Sequence, residues 1–572
     1  MHGCPWGVAL EENSEEIEKY RDKIAILYKE LFERWFTEDR SLKEFIIASL
    51  LIRNNKVLLV GYPGAGKSTL VRLISRALSM GQKDILGIVI GAPEKTLQKV
   101  LVSTNLVKLL TTGKEEIIVR PIVKARVKFI NEINRFSKSV QDALLSLLEE
   151  GYIEYGGMRF ETPDYICFAD MNPFRGEIDR ALKSRFWGSC YIGLPGLEES
   201  KNIIDRLLES EKETSGKLAI VETMPKIMSF EELECIWNDV MSIAIPEHIK
   251  LLGIMILSSL RICKFGRLDL MPGYMRLPCT ECEYANEPCS KIQEPPDERA
   301  SIALFAYARA RAWLKGRKAV DIEDLLWAIP YVFAHRTELK PLVKSRYHNP
   351  WEFFKKFVKW LKETKIGSFD TPGVWLKALA LASIILGAGP KELERIAIGI
   401  YGKNDTPGYL KELERLAHGE LGRGDLVVAE LYRYVERKVL DKIGRIKEIL
   451  KHELEEIEGD VNLTLDKINA FIEKLKRIPH YIVQDLEERA YKLLDDFRVM
   501  FNLEALGDCS RVRSLLLSYN VDPEIINKLL DKKASTNMSF SNELVRIRRL
   551  GKNVIILTYT RDIAKELRSA IE

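Results

Sequence analysis

The strongest constraint on this chain is local. The apolar run Lys56-Val57-Leu58-Leu59-Val60 leads directly into Gly61-Tyr62-Pro63-Gly64-Ala65-Gly66-Lys67-Ser68, and the segment that follows, Thr69 to Leu78, has helix-forming character. A buried strand feeding a glycine loop and then a helix is one unit of a helix-covered sheet. Glycines at 61, 64 and 66 allow backbone amides to curl around an anion at the helix start. Lys67 brings a positive charge to it, and Ser68 a hydroxyl suited to Mg2+. The spacing predicts a nucleotide-phosphate site built from Gly61, Tyr62, Pro63, Gly64, Ala65, Gly66, Lys67, Ser68 and Thr69, with ATP and Mg2+ as cofactors.

A chain of 572 residues exceeds one hydrophobic core, so two to four domains are expected. Lys plus Arg exceed Asp plus Glu by only four, and so slight an excess makes nucleic acid an unfavoured partner. The longest apolar stretch, Gly373 to Gly389, is interrupted by Lys377 and is short for a bilayer span, so it reads as a buried helix and no membrane is expected. The first residues lack the basic flank and apolar centre of a secretory signal, and the expected location is cytoplasmic.

A second apolar strand, Val127 to Ile130, ends in Asn131-Glu132. In phosphate-loop enzymes an acidic pair at this point completes the magnesium and water site, and Glu132 is placed to polarise the attacking water. Asn131 breaks the pattern. Its amide oxygen can accept a hydrogen bond from a metal-bound water but carries no negative charge, so slow hydrolysis is expected rather than none. A third strand, Tyr165 to Ala169, runs to Asn172, and a helix follows that ends at Ser184-Arg185-Phe186.

With these motifs in order, residues 40 to 340 resemble the MoxR family of AAA+ ATPases. INEINRFSKSVQDALLSLLEEG is similar to that family's Walker B strand and helix, ADMNP to its sensor 1, and ALKSRF to its arginine-finger segment. The resemblance implies that Asn172 orients the water against the γ-phosphate and that Arg185 reaches a neighbouring subunit's nucleotide. It also implies that Arg299, in Asp297-Glu298-Arg299-Ala300, touches the γ-phosphate within its own subunit. Tyr152 to Asp164, with Gly156-Gly157 at its turn, is similar to the family's pre-sensor 1 hairpin, and Gln98 to Val119 lies where a helix 2 insert is expected. A hexameric ring, a protein client and a partner bearing a von Willebrand factor A domain follow from the likeness. So does a chaperone-like role in remodelling a client or inserting a metal cofactor.

Cys263, Cys279, Cys282 and Cys289 gather four thiols within 27 residues. Four thiolates suit tetrahedral zinc or a cubane iron–sulfur cluster. CEYANEPCSKIQEPP also resembles the cysteine tail of oligopeptide-transporter ATPases, which implies a [4Fe-4S] cluster. The other cysteines, among them Cys167 in a strand, read as scattered and buried.

Beyond residue 345 the periodicity is helical. Leu431, Val435, Val439, Ile443, Ile446, Leu450, Leu454 and Ile457, then Leu465, Ile468, Ile472, Leu475 and Ile478, recur at steps of three or four, predicting a helical hairpin over 425–478. Asn553 to Glu572 reads as a strand and helix adding an edge to a sheet. The expected fold class is α/β: an AAA+ αβα nucleotide domain with an all-α lid and an all-α C-terminal extension. Its expected divisions are an N-terminal helical segment (1–45), the ATPase core (46–195), the lid with its cysteine-rich insert at 260–295 (196–345) and the extension (346–572). The expected enzyme is an ATPase. A nucleic-acid translocase and an ATP-binding switch with weak hydrolysis are the alternatives.

Overall fold

The computed structural model describes residues 13–571 apart from 83–84, 114–115, 176–177, 214–218, 262–287, 363–373, 388–390, 403–405, 419–425, 461–462, 477–479 and 534–536. Its contacts divide the chain into two compact units, Met1–Val435 and Glu436–Glu572.

The first unit alternates strands and helices along the chain. Its strands in chain order are β1 (Lys56–Gly61), β2 (Leu86–Ile90), β3 (Val102–Thr104), β4 (Ile117–Val119), β5 (Val127–Asn131), β6 (Tyr152–Tyr155), β7 (Met158–Glu161), β8 (Ile166–Met171), β9 (Gly188–Ile192), β10 (Ile292–Glu294) and β11 (Glu338–Leu339). Five form one sheet in the order β2-β5-β8-β1-β9, and every pairing in it is parallel. Parallel sheets are covered on both faces, so their inner strands read as unbroken apolar runs. β1 and β8 are buried at every position. Because the glycine loop leaves β1 and the Glu132 segment leaves β5, all such turns emerge at one edge, the carboxyl ends of the strands.

Two antiparallel pairs stand outside this sheet. β3 and β4 flank the short helix Leu106–Thr112, where the insert was expected. β6 and β7 form the expected hairpin, and its turn takes Gly156 and Gly157 at positive φ, 57° and 73°, as a mirror-image turn demands.

Helices Phe230–Ser242, Glu247–Arg261, Arg299–Leu314 and Ile322–Phe333 form the lid. Two start in reciprocal capping boxes, Ser229 with Glu232 and Asp321 with Asp324. The lid is fastened to β9. Tyr307 lies so close over Gly188 that a Cβ there would sit 2.2 Å from its hydroxyl, which also meets Ser49 and Asn55 at 3.2 and 3.0 Å. His335 is fixed between the Ser189 hydroxyl (2.7 Å) and the Phe186 carbonyl (2.8 Å). Burial and the adjacent Arg336 push its pKa well below the usual imidazole range. Arg336 in turn donates to the carbonyls of Ser184 (3.0 Å) and Phe186 (2.7 Å).

Further along, Val374–Ile385 is the buried helix expected from its apolar run, with Trp375, Leu379 and Leu381 enclosed. No helix among the described residues is long and apolar enough to cross a membrane.

In the second unit the expected hairpin pairing is realised from Leu450 onward. Leu450 and Leu454 pack with Leu465, Ile468, Ile472 and Leu475, and a third helix, His480–Asp495, adds Val483, Leu486 and Ala490 to the same core. Upstream in the same helix, Leu426–Gly459, Ile446 is exposed. The extension is helical through Asp495 and then departs from the all-helical expectation. Strands β12 (Arg498–Asn502), β13 (Met538–Ser541), β14 (Val545–Leu550) and β15 (Asn553–Thr558) make an antiparallel sheet in the order β12-β15-β14-β13. Its core holds Val499, Val545, Ile547, Val554 and Ile556 beneath helices Ser510–Ser518, Pro523–Leu530 and Arg561–Ile571. The predicted final strand, β15, is therefore interior and not an edge. Arg549 is buried in β14, where it donates to the carbonyls of Lys528 (2.5 Å), Leu529 (2.9 Å) and Asp531 (2.9 Å) and closes the end of helix Pro523–Leu530.

Candidate functional site

The glycine loop bends where residues without a side chain are required. A Cβ at Gly61 would meet the Ile192 carbonyl oxygen at 2.2 Å, and Gly66 begins the helix Lys67–Ala77 with φ of 74°. The loop is braced from the N-terminal segment, since Trp35 Nε1 donates to Gly66 O at 3.1 Å. Lys67 Nζ is buried and donates to the carbonyls of Gly61 (2.9 Å) and Tyr62 (2.8 Å), both within the loop. Burial lowers its pKa, against the pull of Asp170 and Glu132.

Pro63, Gly64, Ala65, Gly66, Lys67, Ser68 and Thr69 line a cleft of about 380 Å3, completed by Asn131, Glu132, Asp170 and Asn172. The structure thus brings together the loop and the strand-end residues singled out in the sequence. Asn131 Nδ2 lies 3.5 Å from Ser68 Oγ. Glu132 has positive φ, 53°, a conformation that costs a branched or long side chain of order 1 kcal/mol and is held here by its surroundings. Its carboxylate is gripped by Arg135 (2.6 Å) and faces Arg175 (3.9 Å). Asn172 serves a turn as well as the cleft: its Oδ1 accepts from Phe174 N at 3.1 Å, so the donor it can offer a ligand is Nδ2. A hydroxyl, an amide and carboxylates around one cleft are the oxygen-rich donor set that a hard divalent cation takes, so the residues fit Mg2+.

Tyr62 points elsewhere. Its ring stacks on Phe174 with centroids 5.3 Å apart, and it lines a second cleft of about 520 Å3 with Asp39, Leu42, Tyr191, Tyr331 and Trp351.

Neither arginine implied by the resemblance lines the loop cleft. Arg185 Nε lies 3.6 Å from Glu149, and Arg299 reaches the same carboxylate at 3.2 Å and the Ser184 hydroxyl at 3.2 Å. Arg299 was expected at the γ-phosphate of its own subunit; here it stands beside Arg185. The reason is packing, because seating Tyr307 over Gly188 sets the start of helix Arg299–Leu314 above Ser184. Cys263, Cys279 and Cys282 lie outside the described residues, as does the side chain of Cys289. Among the described residues no group of His, Cys, Asp or Glu is arranged to hold a metal ion without other donors.

Sequence reasoning passed over Asp170, Trp35, Arg135 and Arg175. Asp170 was the one with a signal, a charged residue in an otherwise apolar strand. It is only 5% exposed, its Oδ1 accepts from Glu132 N at 2.6 Å, and its Oδ2 lies 3.8 Å from Lys67 Nζ. Burial raises its pKa, while the Glu132 amide and Lys67 favour the carboxylate.

The fold and cleft define a class. Residues 56–186 match the AAA domain of the dynein-related subfamily, and residues 294–347 match the AAA lid domain. The chain has the fold of an AAA ATPase over these residues, and its activity is that of an ATPase. It is similar to protein MoxR of Methylorubrum extorquens, 24% identical over 57% of this chain and 91% of that protein. It is also similar to chaperone MoxR1 of Mycobacterium tuberculosis, 25% identical over 55% of this chain and 77% of that one. A solved structure from Cytophaga hutchinsonii superimposes with a TM-score of 0.49 at 18% identity, covering 61% of this chain and 97% of its own.

Proposed function

We propose that this ATPase works as a ring, hexameric by family resemblance, that spends ATP on remodelling a protein client or inserting a metal cofactor into one, alongside a partner with a von Willebrand factor A domain. The observation that carries the reading is the division of labour around Glu149. Lys67, Ser68, Asn131, Glu132 and Asn172 share the loop cleft, whereas Arg185 and Arg299 are gathered outside it on one acid. In this reading the two arginines serve the nucleotide of an adjacent subunit together. Lys67 and the loop amides hold the phosphates, Ser68 with Asn131 holds the Mg2+ side, Glu132 polarises water, and Asn172 Nδ2 orients it. Bound Mg2+ supplies charge neutralisation at the phosphates. Glu132 must first leave Arg135, which makes that ion pair a brake on turnover.

A client-handling role draws support from exposed apolar side chains on the two antiparallel appendages: Val107 and Leu110 between β3 and β4, and Met158 in the β6–β7 hairpin. The appendages adjoin, since a Cβ on Gly156 at the hairpin turn would lie 3.1 Å from the Ile117 side chain of β4. We assign Cys263, Cys279, Cys282 and Cys289 to a [4Fe-4S] cluster, with zinc as the alternative; iron with acid-labile sulfide, or zinc, in anaerobically purified protein decides between them.

The test is phosphate release from ATP as protein concentration rises. Specific activity is expected to climb with concentration, and Glu132→Gln and Arg185→Ala are each expected to abolish it. Activity independent of concentration and of Arg185 overturns the shared-site reading. ATP binding without turnover at any concentration supports the switch instead.

A further inference from the structure

The cleft has an amide at the end of one strand and a carboxylate at the end of the next. Ile130 of β5 pairs with Ala169 of β8, so Asn131 and Asp170 are the following residues on adjoining parallel strands, ending side by side at the loop edge. Side chains one step beyond a paired position project to the same face of a sheet. Both residues line the loop cleft. An aspartate on β5 with a neutral residue on β8 would give the cleft the same formal charge as the asparagine and aspartate found here. A buried carboxylate persists only when paired, and Asp170 has its partners in the cleft: Glu132 N on Oδ1 and Lys67 Nζ beyond Oδ2. Its two oxygens therefore do different things. Oδ1 holds the Glu132 backbone in its left-handed turn, and Oδ2 directs negative charge at the residues that would hold the phosphates and the cation.

We propose that Asp170 supplies, from the neighbouring strand, the carboxylate that Asn131 cannot, and so sets how strongly Mg2+ and ATP bind together. The proposal rests on the loop of residues 61–68 being the ATP–Mg2+ site. It bears on the expectation of slow hydrolysis, which was drawn from Asn131 alone.

The experiment uses the full chain and a fluorescent ATP analogue, with affinity measured in EDTA and in Mg2+. The readout is the ratio of the two, which separates cation coupling from folding and from turnover. Asp170→Asn is expected to cut that ratio by about 10- to 100-fold, the usual cost of losing a residue that orients a metal's ligands, with EDTA affinity changed little. Asn131→Asp combined with Asp170→Asn, which moves the charge back one strand, is expected to restore it. Asn131→Asp alone is expected to bring no gain, because the charge is already present and a second one beside it repels. The proposal is overturned if Asp170→Asn keeps the ratio, if the double variant stays as low as Asp170→Asn, or if Asn131→Asp alone raises the ratio about tenfold, as a site lacking a carboxylate would require. Should Asp170→Asn fail to fold, Asn131→Asp alone decides the matter: no gain in the ratio upholds the proposal, and a rise of about tenfold overturns it. Failure of the unmodified chain to bind the analogue in either buffer counts against the loop as the ATP site, and so is distinguishable from failure of the charge transfer.

Discussion

Replacing Trp35 by phenylalanine tests whether the glycine loop is ordered before ATP arrives. The ring stays apolar and of similar reach, packed near Phe32, but the hydrogen bond from Nε1 to Gly66 O is lost. A typical hydrogen bond contributes about 0.5–1.5 kcal/mol net. Gly66 O has a second donor, Leu70 N at 2.9 Å, so its desolvation stays covered and the loss belongs at the lower end, about 0.5–1 kcal/mol. If the bond serves to hold the loop in its binding shape, that whole amount appears as weaker ATP binding, roughly 2- to 5-fold in Kd. Trp35→Ala is a contrasting control. Emptying a buried indole site costs about 3–5 kcal/mol and lowers the unfolding midpoint of the first unit as well as affinity. Equilibrium titration with ATP, together with amide exchange of residues 61–68, reads both effects. A Trp35→Phe variant with unchanged Kd and unchanged loop exchange would refute the reasoning, since the bond would then be a bystander.

Three further outcomes follow from the same structure. Lys128 is buried in β5 with Nζ on the carbonyls of Ile122, Val123 and Ala125, and burial lowers its pKa from 10.5 to about 7. Between those values the unfolded chain binds the extra proton, so stability should rise as pH climbs from about 7 towards 10, and Lys128→Met should flatten that rise in urea unfolding. Gly188→Ala drives a methyl into the Tyr307 ring and should cost about 1–3 kcal/mol, seen as a lower melting midpoint of the first unit. Arg549→Met strands three carbonyls at a helix end and should cost the second unit about 1–3 kcal/mol in urea unfolding, with ATP turnover unaltered.

What could be read from the sequence was what a short stretch decides alone. Gly61 to Ser68 dictates its own loop, and β1, β5 and β8 declare themselves as apolar runs because a parallel sheet hides both faces. The hairpin at Gly156-Gly157 is equally local. Asp170 was missed because its meaning comes from Asn131, 39 residues away in sequence and one strand away in space. Trp35 touches Gly66 through tertiary packing that no local pattern encodes. The position of Arg299 beside Ser184 and Glu149 was not legible, because it follows from how the lid packs on the sheet, with Tyr307 of the same helix seated over Gly188. In the second unit Val545-Arg546-Ile547-Arg548 alternates as a strand should, but Arg549 breaks the pattern by being buried as a cap, and β12, β13 and β14 went unread while β15 was recognised.

The His335–Arg336 pair has a mechanical consequence. Through Phe186 and Ser184 it ties the last lid helix to the short helix Arg180–Arg185, and Tyr307, seated over Gly188, ties a second lid helix to β9 just beyond it. A hinge needs slack, and four hydrogen bonds from His335 and Arg336 work against it here. Any swing of these lid helices therefore carries the short helix and its Arg185 along, with no separate linkage required.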